Sequence, residues 1–157
     1  LNLLEQTIEA IPSHIILVIE LKIARFFSSY FFVKNFTDFY NKKLRGRKLW
    51  IQSFNPFALK RLRRLLPEVE IGFLCGNPFW NFIFQRFFFK VIKPQFYLLH
   101  RRLFSSKNIS FGKKHELKIV PFVLNKQEQW SKAIKESVYG IITDIPEELN
   151  VLLSQNY

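Results

Sequence analysis

Glu20 and Lys22 are the two residues whose types and spacing point most directly to chemistry. They close the run Ile15-Ile16-Leu17-Val18-Ile19-Glu20-Leu21-Lys22, in which five apolar residues are followed by an acid and a base two apart. Side chains alternate along a strand, so Glu20 and Lys22 share one face while Ile19 and Leu21 share the other. An acid and a base then emerge together at the C-terminal end of a strand, where α/β folds build their sites. The plainer reading is a rim ion pair, worth little by itself.

The element that must position this pair is the apolar run, which reads as a strand buried on both faces, as in parallel sheets packed between helices. Before it, Leu4, Ile8 and Ile11 have helical spacing, ended by Pro12-Ser13. After it, Phe36, Phe39, Tyr40 and Leu44 predict a helix within 25–48, with Gly46 as its stop. Leu49 to Phe54 is a second strand, and Asn55-Pro56 a helix start, because Asn caps and Pro suits the first turn. Leu59, Leu62, Leu65 and Leu66 form the apolar face of that helix, which Pro67 ends. Glu70 to Leu74 follows as a strand, so this stretch is a βαβ unit with parallel strands.

Residues 77–93 carry Phe79, Trp80, Phe82, Phe84, Phe87, Phe88 and Phe89 on every side of a helix and read as an aromatic-rich insertion. With Arg86, Lys90 and Lys93 close behind, a peripheral membrane contact is one reading; burial against a partner or a missing half is the other. Leu98 to Phe111 gives no clear element. Leu117 to Leu124 is a strand weakened by Pro121. A helix follows over 126–137, then a short last strand Gly140-Ile141-Ile142-Thr143-Asp144, and a helix from Pro146 to about Leu153. Strand then helix, about five times, predicts an α/β fold.

The chain has 157 residues, 48% hydrophobic, enough for a core but short of the ~250 of a whole α/β barrel. It starts at Leu1 and lacks methionine, so it is expected to be a fragment. Twenty-four Lys and Arg against 12 Asp and Glu give a net charge of +12, which favours anionic partners. Cys75 is the single cysteine, which excludes an internal disulfide and a cysteine-based zinc cluster. Leu1 to Ile11 carries two glutamates and no basic residue, so this stretch is not expected to be a signal peptide, and no apolar run reaches the ~20 residues that span a bilayer. A cytoplasmic or membrane-associated setting is favoured. His14 follows a helix break and reads as a loop residue; His100 and His115 lie in basic runs and read as solvated.

Taken in order, the motifs resemble the C-terminal half of the glycerophosphodiester phosphodiesterase family. Ile19-Glu20-Leu21-Lys22 is similar to its Glu-x-Lys strand end, Ser53-Phe54-Asn55-Pro56 and the leucine-spaced helix to its next βα unit, and Ile71-Gly72-Phe73-Leu74 to the strand after that. Val120-Pro121-Phe122-Val123-Leu124-Asn125 and Gly140 to Pro146 resemble its last two segments. The resemblance implies the later part of a TIM-type (β/α) barrel of the phospholipase-C-like phosphodiesterase fold, one partial domain over 1–157. It implies metal-dependent hydrolysis of a small glycerophosphodiester to glycerol 3-phosphate and an alcohol, with Ca or Mg as the divalent cation.

By the same resemblance Glu20 stands for a metal-coordinating carboxylate, Lys22 for a phosphate-binding lysine, and Ser53, Phe54 and Phe122 for the pocket wall. The family's catalytic histidines and other acidic ligands belong to motifs before residue 1, so no catalytic residue is carried over. The isolated chain is therefore expected to be inactive and, with two open sheet edges, to need its missing half or to self-associate. Phe122 replaces a tryptophan, Val123 a threonine, Glu116 a helix-end glycine and Tyr139 an aspartate. Asp144 reads as holding the loop after the last strand rather than as a metal ligand. The rival expectation is a non-catalytic basic module that binds anionic membrane lipid or nucleic acid; in the enzyme reading nucleic acid is not a partner.

Overall fold

Five strands lie side by side in the order of the chain, in a computed structural model that describes residues 4–23 and 29–156. They are β1 (Leu17–Glu20), β2 (Leu49–Ser53), β3 (Glu70–Cys75), β4 (Phe96–His100) and β5 (Lys118–Phe122), and each neighbouring pair is parallel. Parallel neighbours need crossovers, and each is helical. After α1 (Leu4–Ala10) these are α2 (Ser29–Phe39) with a π-helical end Tyr40–Leu44, α3 (Pro56–Leu65), the pair α4 (Pro78–Ile83) and α5 (Phe89–Ile92) joined by a π turn, and α6 (Ser106–Lys114). Helices α7 (Gln127–Lys135) and α8 (Pro146–Asn156) close the chain. Strands in sequential order, with no reversal, belong to a barrel rather than to a doubly wound sheet. The fold is part of a TIM-type barrel, as expected.

Strand alternation divides the interior. Ile51, Ile71, Phe73, Tyr97, Leu99 and Ile119 face the helices and form the larger core with Val33, Leu59, Leu62 and Phe84. The alternate residues Leu74, Phe96, Leu98 and Val120, with Trp50 and Phe122 against them, form a smaller cluster on the concave face. Trp50 stacks on Phe96 at 4.3 Å.

Local chemistry sets the crossovers. Asn55 Oδ1 accepts from the N–H groups of Phe57 and Ala58, capping α3 as its sequence predicts. Gly46, with φ of +87°, ends the long helix before β2. The 77–93 stretch, expected as an insertion, is the crossover from β3 to β4 itself. Asn81, Phe84 and Ile92 turn inward at helical spacing, and Phe84 stacks on Phe73 at 4.1 Å.

Several expectations change. The opening strand is not buried on both faces: Leu17 is buried, but Val18 is 44% exposed, and Ile15 and Ile16 are exposed and precede the strand. β1 is an edge strand of this sheet, so only one side of it has a neighbour. Leu65 is exposed, because six residues after Leu59 it lies roughly 120° round the helix; Leu59, Leu62 and Leu66 carry the buried face. The stretch without a clear element contains the end of β4, a 3-10 turn at Arg101–Leu103 and α6.

The last strand is not a strand. Tyr139 N–H donates to Ile119 O and Ile142 N–H to Pro121 O, while Leu124 N–H donates to Ile142 O. Two residues of β5 are thus matched by three of the following segment, and Pro121 has no N–H to give, so a regular ladder cannot form. Among the described residues no helix is long and apolar enough to cross a membrane.

Candidate functional site

The C-terminal end of β1 is held by its neighbour. Leu21 N–H donates to Gln52 O at 2.8 Å, and the Ser53 hydroxyl donates to Leu21 O at 2.7 Å while accepting from Asn55 N–H at 3.1 Å. Ser53 is buried, and its oxygen ties β1 to β2 at the point where the chain leaves both strands. Glu20 pairs in register with Gln52, on the same face as Val18 and Trp50, which is the concave one. Gln52 is buried and its side-chain oxygen accepts from Trp50 Nε1 at 3.2 Å. Glu20 is half-buried and Lys22 exposed; among the described residues neither side chain has a hydrogen-bond or ion-pair partner. Among the described residues the expected pair is not closed on itself.

Phe54 and Phe122 meet at the same end of the sheet, ring edge to ring face at 6.0 Å. A side-chain carbon on Gly76 would lie 3.1 Å from the Phe54 ring, so the absence of one lets the ring sit there. His100, the last residue of β4, packs on Phe122 at 5.7 Å, and its Nδ1 accepts from Arg102 N–H at 3.3 Å. Burial, then the adjacent Arg101 and Arg102 charges, hold its pKa below the ordinary value. Sequence reasoning placed His100 in a solvated basic run. The signal it lacked was the boundary of β4, which makes His100 a strand end facing the mouth.

The other expected or excluded residues fall as follows. His14 is exposed in the turn before β1, and His115 packs between Phe89 and Phe111 at the end of α6; both lie at the opposite end of the sheet. Asp144 accepts from Asn125 Nδ2 at 2.7 Å, and its N–H donates to Asn125 Oδ1, which ties the loop after β5 to the start of α8. Burial pushes the Cys75 thiol up to about 12, which keeps it from acting as a nucleophile.

A divalent cation was expected at Glu20. Calcium takes about six to eight oxygens and magnesium about six. Among the described residues no three His, Cys, Asp or Glu groups converge. A half-buried carboxylate without a partner suits one ligand of such a site, and the described residues do not supply the rest.

The glycerophosphoryl diester phosphodiesterase family model matches residues 19–148. A glycerophosphodiester phosphodiesterase of Caldanaerobacter subterraneus subsp. tengcongensis is 31% identical over 105 residues, 63% of this chain and 40% of that protein. A solved structure from Galdieria sulphuraria matches with a TM-score of 0.78 at 20% identity, covering 96% of this chain and 62% of the other. An Oleispira antarctica phosphodiesterase, solved with the product sn-glycerol-3-phosphate, matches with a TM-score of 0.65 at 18% identity, covering 78% of this chain and 49% of the other. These two likenesses carry the fold. The chain spans less than two thirds of each of these proteins.

Proposed function

This chain belongs to the glycerophosphoryl diester phosphodiesterase family, and from that premise we propose that it forms the C-terminal part of a phosphodiesterase site, one partial domain over 1–157. The observation that carries the reading is the half-buried carboxylate of Glu20 on the concave face at the end of β1, without a partner among the described residues, with Lys22 two residues on.

In this reading Glu20 is one ligand of a Ca or Mg ion that the completed barrel holds. When bound, the ion polarises a phosphoryl oxygen. Lys22 draws the phosphate of the substrate to that end of the sheet and offsets the negative charge that builds up there. Phe54 and Phe122 give an apolar wall beside it, and Ser53 keeps the ends of β1 and β2 together. The groups that move protons lie in the rest of the barrel, so the chain alone has no turnover. The substrate class is a glycerophosphodiester, hydrolysed to glycerol 3-phosphate and an alcohol; the product held by the Oleispira antarctica neighbour supports that choice.

The test is hydrolysis of glycerophosphocholine by the barrel completed around this chain, with calcium or magnesium supplied. Glu20→Ala and Lys22→Ala each lower kcat/KM by about 10²–10³-fold. Neither changes the urea midpoint, since neither side chain holds anything in place. Wild-type turnover in either variant removes that residue from the site.

A further inference from the structure

We propose that the C-terminal end of this sheet is a membrane-facing surface that seats on an anionic phospholipid bilayer. The inference rests on the fold and surface alone and not on the phosphodiesterase reading.

Crossover helices run against the strands, so their first turns gather at the end where the strands finish. There the chain places large aromatic side chains in water. Phe31, in the first turn of α2, is 70% exposed, and Phe79 and Phe82, in α4, are 63% and 62% exposed. Trp80 and Tyr30 stand beside them, also exposed. Isolated exposed aromatics need no explanation, but a set gathered on the first turns of separate helices at one end does.

The fold itself does not cover this surface. The inner face of α4 is already taken by Asn81 and the following Phe84, both buried. The helical crossover has a neighbour on each side within this chain: Phe88 meets Phe57 of α3 at 4.9 Å, and Phe89 meets Phe111 of α6 at 5.5 Å. Further strands of a barrel would continue the sheet from its edges at β1 and β5, away from the outward side of α4, which lies over β3 and β4.

Charge selects the occupant. Arg101, Arg102 and Lys107 are exposed at the same end, after β4, and among the described residues none has an ion pair. The carboxylates near that end other than Glu20, which are Glu128, Asp144, Glu147 and Glu148, lie beyond β5, away from the aromatic side. Aromatic rings beside unpaired cations match the headgroup zone of an anionic bilayer, where rings bury at the acyl boundary and cations meet lipid phosphate.

The test mixes the full chain with vesicles of phosphatidylcholine, with and without phosphatidylglycerol. It floats with the phosphatidylglycerol vesicles and releases as salt is raised. Trp50 is stacked on Phe96 and Trp130 is buried, so Trp80 reports the contact: its emission shifts to the blue and brominated lipid quenches it. Phe79→Ser with Phe82→Ser lowers the partition about tenfold per side chain, and Phe31→Ser on the separate helix does the same. The proposal falls if the chain stays in solution with phosphatidylglycerol vesicles, or if the variants float like the parent. It falls also if the chain dimerises without lipid through these residues, which assigns the surface to a second copy. Should a variant misfold, quenching of Trp80 in the parent chain decides. Turnover is not measured, so failure here leaves Glu20 and Lys22 as they stand.

Discussion

The two ends of the sheet differ in where ion pairs form. At the end where the strands begin lie the ion pairs found among the described residues: Lys43 with Glu5, Lys113 with Glu136 at 3.0 Å and Lys118 with Glu70 at 2.7 Å. Arg63, near the end of α3, donates to the carbonyls of Pro67, Val69, Ile92 and Lys93 and to Gln95 Oε1, between 2.7 and 3.1 Å. One guanidinium thus fastens the approaches to β3 and β4. At the end where the strands finish, Glu20, Lys22, Arg101, Arg102 and Lys126 have no ion pair among the described residues. The ion pairs and the Arg63 fan thus lie at one end, while the charged groups Glu20 and Lys22 stand at the other, where barrels build their sites.

Arg63→Ala tests this division with the largest effect. It removes every one of those hydrogen bonds and leaves carbonyls at two strand entries without donors. A loss of about 3–5 kcal/mol is expected from the urea midpoint, far more than any single change among the open cations. Arg63→Lys recovers only part of it, because an ammonium cannot reach this fan of acceptors as a planar fork does. A small effect of Arg63→Ala would break the comparison.

How much of this was legible in the residues follows the same line. Features that depend on neighbours in sequence could be read: Asn55 and Pro56 start α3, Gly46 stops the long helix, and the Glu-x-Lys spacing marks a strand end. Features that depend on what lies across space could not. Nothing in Ile15 to Ile19 says that β1 stands at an edge, so it reads as a buried strand. β4 hides because Phe96 to His100 continues a phenylalanine-rich stretch with little between them; the break is Lys93, in the left-handed region with φ of 47°, just before Pro94. With β4 unmarked, His100 could not be placed at the mouth.

A second change sharpens the stabilising end. Glu116 has φ of +54° just past α6, and Leu117 N–H reaches back to Gly112 O at 2.9 Å. This is a Schellman turn, whose left-handed position suits glycine and strains a residue with a Cβ. Glu116→Gly is expected to raise stability by about 1 kcal/mol, read as a higher urea midpoint. A fall would mean that the Glu116 side chain contributes more than its backbone strain costs.

The smallest effect lies at the open end, in His100. Its pKa is held below the ordinary 6.5, first by burial and then by Arg101 and Arg102, so the fold favours the neutral ring. Between the lowered folded value and 6.5 the unfolded chain binds the proton more readily. Stability is therefore full above about 6.5 and declines as the pH falls through that value, levelling off once both states are protonated. His100→Asn keeps an acceptor near Arg102 N–H and removes the titration, so its urea midpoint should change less than the parent's between about pH 8 and about pH 5. Equal slopes in the two proteins would place the acid sensitivity elsewhere, among the paired carboxylates of the stabilising end, and shift even this response to the side of the sheet where charges are already matched.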